Sequence, residues 1–151
     1  GIFKLRATVN KESEMNLTAE PLMDNRKLTT GRIFNRPMVG AADFIGNKTT
    51  VRHHYAGKTN DSVVVLYYND DLDNTEFNIG SIVVMEAGRY YTPPLATGIL
   101  NGVMRQALID DGKITEENIR LKDLRHKYAQ GQIEIYMINS VREWVAITLL
   151  E

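Results

Sequence analysis

Apolar and polar residues alternate at the start of the chain, and this pattern predicts a β-hairpin. The run IFKLRATV alternates residue by residue, MNLTAEPL does so again, and the polar turn NKESE lies between them. A period of two is typical of a strand that buries one face. We therefore predict two half-buried strands within residues 2–22. Because Gly1 stands directly before this strand pattern, we also consider that the chain is a fragment of a longer protein.

The central part of the chain predicts further strands and one short helix. We expect a strand at residues 32–39, a helix at residues 49–58 and a buried strand in the apolar run DSVVVLYY. The segment TEFNIGSIVVMEAGRYYTPP predicts two strands, residues 76–85 and 89–92, which are hinged at Ala87 and Gly88.

Helices and closing strands are predicted in the last third of the chain. In GVMRQALIDDGK, Val103, Ala107 and Leu108 share one helix face, and Gly112 is a natural stop. RLKDLRHKYAQG predicts a second helix that ends at Gly131, and IEIYMINS and EWVAITLLE predict strands. The whole pattern predicts an α+β fold, in which a large mixed or antiparallel sheet or barrel-like core carries a few helices.

The composition is that of an ordinary globular domain. The chain has 151 residues, of which 43% are hydrophobic and 25% charged, and its net charge is -1. This balance gives no indication of a nucleic-acid or membrane partner. The absence of cysteine excludes disulfides, cysteine-based zinc sites and a thiol nucleophile. No apolar run is long enough to span a membrane, and no signal-peptide pattern is present, so we expect a cytoplasmic protein.

The three histidines do not form a metal-binding pattern. His53 and His54 are adjacent, so on the predicted helix their side chains point about 100° apart. His126 lies in a distant basic stretch, whereas zinc needs three or four convergent ligands. We expect no metal site.

Four blocks of sequence resemble the class IV, or fold type IV, pyridoxal-phosphate enzymes. In chain order they are NKTTVRHHY, NTEFNIGSIVV, YYTPPLATGILNGVMRQ and IEIYMINSVREWV, and the likeness covers residues 43–147. The family contains branched-chain and D-amino-acid aminotransferases and aminodeoxychorismate lyases. The resemblance implies that residues 23–151 form the large cofactor-binding domain. Residues 1–22 are similar to the segment that joins the family's small N-terminal domain to the large one, so they would be that segment or a hairpin remnant of the small domain.

The resemblance implies that Lys48 is the catalytic lysine and holds the cofactor covalently. This chemistry requires a primary amine, desolvated enough that its pKa falls toward working pH. From composition alone, a solvated surface lysine would be the more common interpretation. Arg52 matches an arginine that is frequent after the family lysine. Glu76 matches the glutamate that faces the pyridine nitrogen and keeps it protonated; an ordinary glutamate at a strand edge is the alternative.

The same resemblance implies a binding site for the cofactor phosphate. It places Gly102 and the backbone amides of Val103 and Met104 at a helix start, where anions bind. Asn139 and Ser140 would reach the phosphate from a strand end, although Asn139 could equally cap a turn. The sequence departs from the family at two positions, Asn101 in place of proline and Ser81 in place of asparagine. Ser81 is retained as a cofactor-site residue because its hydroxyl can still donate a hydrogen bond.

Within the family, the sequence looks most like aminodeoxychorismate lyases, particularly those fused to or paired with aminodeoxychorismate synthase. This implies conversion of 4-amino-4-deoxychorismate to 4-aminobenzoate and pyruvate in folate synthesis, with the synthase as a functional partner. The alternatives are a class IV aminotransferase for branched-chain or D-amino acids, or a truncated, non-catalytic fragment. The resemblance also implies a homodimer. The family's small domain supplies a phosphate-binding arginine and is largely missing here, so we expect weak cofactor binding.

Overall fold

Two separate sheets contain the strands of the computed structural model, which describes residues 2–22, 29–38 and 63–150. The elements in chain order are β1 (Phe3–Val9), β2 (Met15–Pro21), β3 (Thr29–Ile33), β4 (Val63–Tyr68), β5 (Asn74–Phe77), β6 (Gly80–Glu86), β7 (Arg89–Thr92), a 3-10 turn (Leu95–Thr97), α1 (Val103–Asp110), β8 (Thr115–Glu116), α2 (Leu121–Ala129), β9 (Ile133–Asn139) and β10 (Glu143–Leu150). Among these residues, no helix is long and apolar enough to cross a membrane.

The predicted N-terminal hairpin is confirmed, but the prediction that its strands are half-buried is wrong. Strands β1 and β2 pair antiparallel in a two-stranded sheet of their own. Their register puts every apolar side chain on one face, namely Phe3, Leu5, Ala7, Val9, Met15, Leu17, Ala19 and Pro21. The five largest of these are between 58% and 75% exposed. Alternation specifies which side chains share a face, but it does not specify whether another layer covers that face.

The larger sheet closes on itself into a barrel-like core. Its strand order is β5-β4-β3-β10-β9-β6-β7-β8, and β5 also pairs with β6, which closes a ring of six strands. Strand β3 runs parallel to both β4 and β10, whereas the other pairs in the ring are antiparallel. The predicted α+β class, with a mixed sheet and a barrel-like core, is therefore confirmed.

The two faces of this sheet carry different side chains because successive residues alternate. One face fills the ring with apolar side chains of β4, β5, β6, β9 and β10, and Leu124 of α2 packs among them. Gly31 of β3 makes room in this interior, since a Cβ there would lie 2.8 Å from Cγ2 of Ile147. On the other face, Val83 and Ile138 pack against Leu108 of α1.

Two predicted strand boundaries differ from the structure, and one predicted helix cannot be compared with it. The strand predicted at residues 32–39 is β3, Thr29–Ile33; Pro37, which has no N–H to donate to a ladder, lies in the segment that follows it. Residues 76–85 do not form one strand, because β5 ends at Phe77 and β6 begins at Gly80. The helix predicted at residues 49–58 lies outside the described residues.

The remaining predicted elements are confirmed. The run DSVVVLYY contains β4, and α1, α2, β9 and β10 occur where the apolar pattern predicts them. Gly112 and Gly131 follow the two helices with φ near +70°. That left-handed conformation suits glycine and ends a helix.

Candidate active site

Glu76 and Ser81 form the inner wall of the candidate site. They are direct partners across the β5–β6 pair, so their side chains project from the same face of the sheet. Glu76 is only 4% exposed and Ser81 only 7% exposed. The Glu76 carboxylate accepts a hydrogen bond from the backbone N–H of Leu100 over 3.3 Å. Burial of a carboxylate is costly without such donors, so a buried glutamate suits a partner that is a hydrogen-bond donor or a cation.

The start of α1 lies next to this wall. Gly102 is the N-cap residue in extended conformation, and no side chain of its own caps the helix. A Cβ on Gly102 would lie 3.6 Å from Oγ of Ser81, so the hydroxyl and the helix start are neighbours. The first N–H groups of a helix lack intrahelical partners and sit at its positive end. This arrangement suits the binding of an anion such as a phosphate.

Val103 and Met104 contribute to this helix start through their backbone. The Val103 side chain is exposed, and the Met104 side chain packs against the cluster around Val83. Their N–H groups are therefore the parts that an anion at the helix start would contact. Asn101, which replaces the family proline, donates from its amide to Gln106 and accepts from Arg105. The substituted residue is thus held by the first turns of α1.

Arg105 anchors the segment that leads into the helix, and the sequence analysis did not identify it. The side chain is 1% exposed. It donates to the carbonyl oxygen of Pro93 at 2.9 Å, to Oδ1 of Asn101 at 3.0 Å and to the carboxylate of Glu116 at 2.7 Å. These contacts fix both ends of the loop that carries the Leu100 N–H. No local sequence pattern predicts these contacts, because two of the partners are more than ten residues away in sequence.

Asn139 joins two turns at the same end of the barrel. Its Nδ2 donates to the carbonyl oxygen of Ile79 at 2.9 Å, and its Oδ1 accepts from the N–H groups of Val141 and Arg142. The turn-capping interpretation therefore accounts for both lone pairs of Oδ1, and one N–H of Nδ2 remains to donate elsewhere. Ser140 is exposed in the turn that Asn139 organises.

These residues suit a ligand that has a protonated ring nitrogen at one end and a phosphate at the other. A buried carboxylate suits the ring nitrogen, and an N-cap glycine without a capping side chain leaves the helix start open to the phosphate. Pyridoxal phosphate has these two features. The structure brings together Glu76, Ser81 and Gly102, and the turn of Asn139 and Ser140 lies at the same end.

Two residues with predicted roles lie outside the described residues. These are Lys48, the predicted catalytic lysine, and Arg52; His53 and His54 lie outside them as well. His126 is exposed on α2. Within residues 2–22, 29–38 and 63–150, no three histidine, aspartate or glutamate side chains are grouped so as to hold a metal ion.

Solved structures share this fold at low sequence identity. A provisionally named amino-acid aminotransferase from Mesorhizobium loti is 22% identical with a TM-score of 0.83, over 98% of this chain and 73% of that one. A provisionally named 4-amino-4-deoxychorismate lyase from Legionella pneumophila is 16% identical with a TM-score of 0.75, over 91% of this chain and 53% of that one.

A third similar structure is an aminotransferase from Brucella abortus bound to the cofactor PLP. It is 17% identical with a TM-score of 0.69, over 89% of this chain and 50% of that one. This chain thus spans only about half the length of the Legionella and Brucella proteins. No curated protein sequence matches it. The pattern described as amino-transferase class IV matches residues 46–150, more than half of the chain, and the chain therefore belongs to this family of pyridoxal-phosphate-dependent enzymes.

Proposed function

We propose that the candidate site binds pyridoxal phosphate, with the ring nitrogen at Glu76 and the phosphate at the start of α1. The observation that carries this proposal is the meeting of a buried carboxylate, a serine hydroxyl and an uncapped helix start at one end of the barrel. Ser140 and the remaining N–H of Asn139 would approach the phosphate from the neighbouring turn. Lys48 would hold the cofactor covalently through its amine.

Each of these residues would have a distinct task. When bound, pyridoxal phosphate supplies an electron sink for negative charge that develops on the substrate. Glu76 would keep a proton on the ring nitrogen, since its carboxylate is buried and can accept that N–H in a region of low dielectric constant. Lys48 would take the proton from the reacting carbon of the substrate. The helix start would orient the whole group by its phosphate.

For the reaction, we propose elimination of pyruvate from 4-amino-4-deoxychorismate to give 4-aminobenzoate. The support is the likeness of the four sequence blocks to the lyases of the family, together with the fold shared with the Legionella protein. Lys48 would remove the proton from C4, the enolpyruvyl group would leave as enolpyruvate and take up a proton to become pyruvate, and the ring would become aromatic. Aromatisation gives this elimination a strong driving force. Aminodeoxychorismate synthase would be the functional partner, and the enzyme would act as a homodimer in the cytoplasm.

A class IV aminotransferase is the second candidate. The fold shared with the Mesorhizobium protein over nearly the whole chain favours it. Lys48 and Glu76 would serve both reactions, so neither residue discriminates between them. An aminotransferase, however, passes the amino group to a second substrate, a keto acid, whereas a lyase needs no acceptor. A third candidate is a protein that binds the cofactor without turnover.

The discriminating experiment measures products with and without a keto acid. Incubation with 4-amino-4-deoxychorismate and pyridoxal phosphate should release equal amounts of pyruvate and 4-aminobenzoate without any added acceptor. An aminotransferase would instead stop after one half-reaction with a branched-chain or D-amino acid and resume when 2-oxoglutarate is added. If neither activity is detected but a visible absorption band appears when the cofactor is added, the protein binds the cofactor without turnover.

The cofactor site itself is tested by binding. Wild-type protein should develop a visible absorption band with added pyridoxal phosphate, and Lys48→Ala should not. Lys122→Ala is the matched control, because Lys122 is an exposed lysine on α2. An unchanged band in Lys48→Ala would remove the basis for the covalent role of Lys48.

A further inference from the structure

Three aromatic side chains from three strands line a pocket that the cofactor proposal does not use. They are Tyr90 of β7, Tyr136 of β9 and Trp144 of β10, and Lys113 lines the pocket beside them. The ring centroids are 5.5 Å apart for Tyr90 and Trp144, 5.6 Å for Tyr136 and Trp144, and 6.4 Å for the two tyrosines. The cavity has a volume of about 430 Å³, which is within the range of small-molecule sites.

The pocket is separate from the candidate active site. Trp144 is paired with Ile138, which is in turn paired with Ser81, so one full strand separates Trp144 from the site. Tyr136 precedes Ile138 by two residues in β9, so it lies farther from the turn of Asn139. Of the residues proposed to bind the cofactor, none that the structure describes lines the pocket.

The aromatic walls are held in place from behind. All three rings pack on the apolar cluster that joins the sheet to α1, whose buried members are Val83, Leu108, Ile114 and Ile138. The Tyr136 hydroxyl donates to the carboxylate of Glu134. This hydrogen bond, followed by burial and the charge of Glu134, raises the pKa of Tyr136 to about 12, so the hydroxyl stays neutral near neutral pH. Its ring is therefore a fixed, uncharged wall.

Among the described residues that line the pocket, Lys113 is the charged one. Its backbone is fixed at the end of α1, where its N–H donates to the carbonyl oxygen of Leu108 and Gly112 has φ of +70°. The long side chain can place its amine over the aromatic walls. Glu134 accepts the hydrogen bond of the Tyr136 hydroxyl and is not among the residues that line the pocket.

We propose that this pocket binds a small planar aromatic carboxylate. The aromatic part of the ligand would lie against the three rings, in the offset or edge-to-face contacts that aromatic systems prefer. Its carboxylate would pair with the Lys113 amine at the open side of the pocket. The proposal rests on the pocket alone and does not depend on the bound cofactor or on the reaction.

Trp144 makes this proposal directly measurable because it is the only tryptophan in the chain. Titration of the protein with benzoate should change the Trp144 fluorescence saturably, after correction for the response of a free tryptophan derivative. Cyclohexanecarboxylate, which is not planar, and benzyl alcohol, which has no charge, should bind at least tenfold more weakly. The benzoate response should also weaken with added salt, since the amine is partly solvated.

Substitutions at Lys113 separate the two parts of the interaction. Lys113→Met should weaken benzoate binding at least tenfold, whereas Lys113→Arg should retain most of it. Lys122→Met, on the exposed side of α2, should leave binding unchanged. A fluorescence response that does not saturate would overturn the proposal. Equal affinities for benzoate and benzyl alcohol, or equal affinities of wild type and Lys113→Met, would overturn it as well.

Discussion

Replacement of Arg105 by methionine should destabilise the fold strongly, although Arg105 lies in a surface helix. Methionine has a similar unbranched stem and a similar helix propensity, so the substitution removes mainly the guanidinium group. That group is buried and donates to Pro93, Asn101 and Glu116. The free energy of unfolding should therefore fall through the loss of these hydrogen bonds.

The expected magnitude follows from the surroundings of each partner. All three bonds have the charged guanidinium group as donor, and a hydrogen bond to a charged group contributes about 1.5–3 kcal/mol when it is measured singly. The three contributions are not additive because the bonds belong to one network. Glu116 is 42% exposed, so its carboxylate can be solvated when the arginine is removed. The cost of about 3–5 kcal/mol that applies to a broken, fully buried pair is therefore an upper bound. We expect Arg105→Met to lower the free energy of unfolding by about 2–4 kcal/mol.

Urea unfolding followed by the fluorescence of Trp144 measures this change. Arg125→Met is the matched control, because Arg125 is an exposed arginine on α2, and it should change the free energy of unfolding by less than about 0.5 kcal/mol. Glu116→Gln should cost less than Arg105→Met, since its amide oxygen still accepts from the guanidinium group. If Arg105→Met and Arg125→Met were equally stable, the contacts of Arg105 would not anchor the loop before α1.

Three further predictions test other parts of the molecule. Borohydride reduction of the protein with pyridoxal phosphate, followed by peptide mapping, should place the pyridoxyl group on Lys48; modification of a different lysine would contradict its role. Glu76→Gln should slow turnover by orders of magnitude with little change in the far-UV circular dichroism, because the ring nitrogen loses its counter-charge; a near-normal rate would exclude that role. The apolar hairpin face should bind the dye ANS, and Leu5→Thr with Leu17→Thr should reduce the dye fluorescence more than Arg6→Thr on the opposite face does.

The elements that could be predicted from the sequence are those whose own residues determine them. Strand β4 follows from one apolar run, and the helices end where Gly112 and Gly131 supply a positive φ. The break between β5 and β6 could not be predicted in this way. Asn78 and Ile79 continue a run that looks like a strand, and the turn is held from outside, because Oδ1 of Asn78 accepts from the distant N–H of Val65.

The candidate site could be proposed from the sequence because four blocks in the family's order carry its residues. Glu76 and Gly102 could be proposed because the resemblance places them at the ring nitrogen and at the helix start, whereas the burial of Glu76 is a feature of the folded chain. Arg105 could not be proposed, since its importance depends on Pro93 and Glu116, which are brought to it only by the folded chain. The exposure of the hairpin could not be predicted for a related reason, because the burial of a strand depends on which other elements cover it.

The candidate site is assembled by contacts between segments that are far apart in the sequence. The β5–β6 pair meets the loop before α1 through Glu76 and Leu100, which are 24 residues apart, and it meets the β9–β10 turn through Ile79 and Asn139, which are 60 residues apart. Any one of these segments alone has an ordinary structural explanation. A single motif therefore indicates the function only weakly, whereas the order of several motifs indicates it well, because only their common fold brings a carboxylate, a hydroxyl and a helix start to the same end of the barrel.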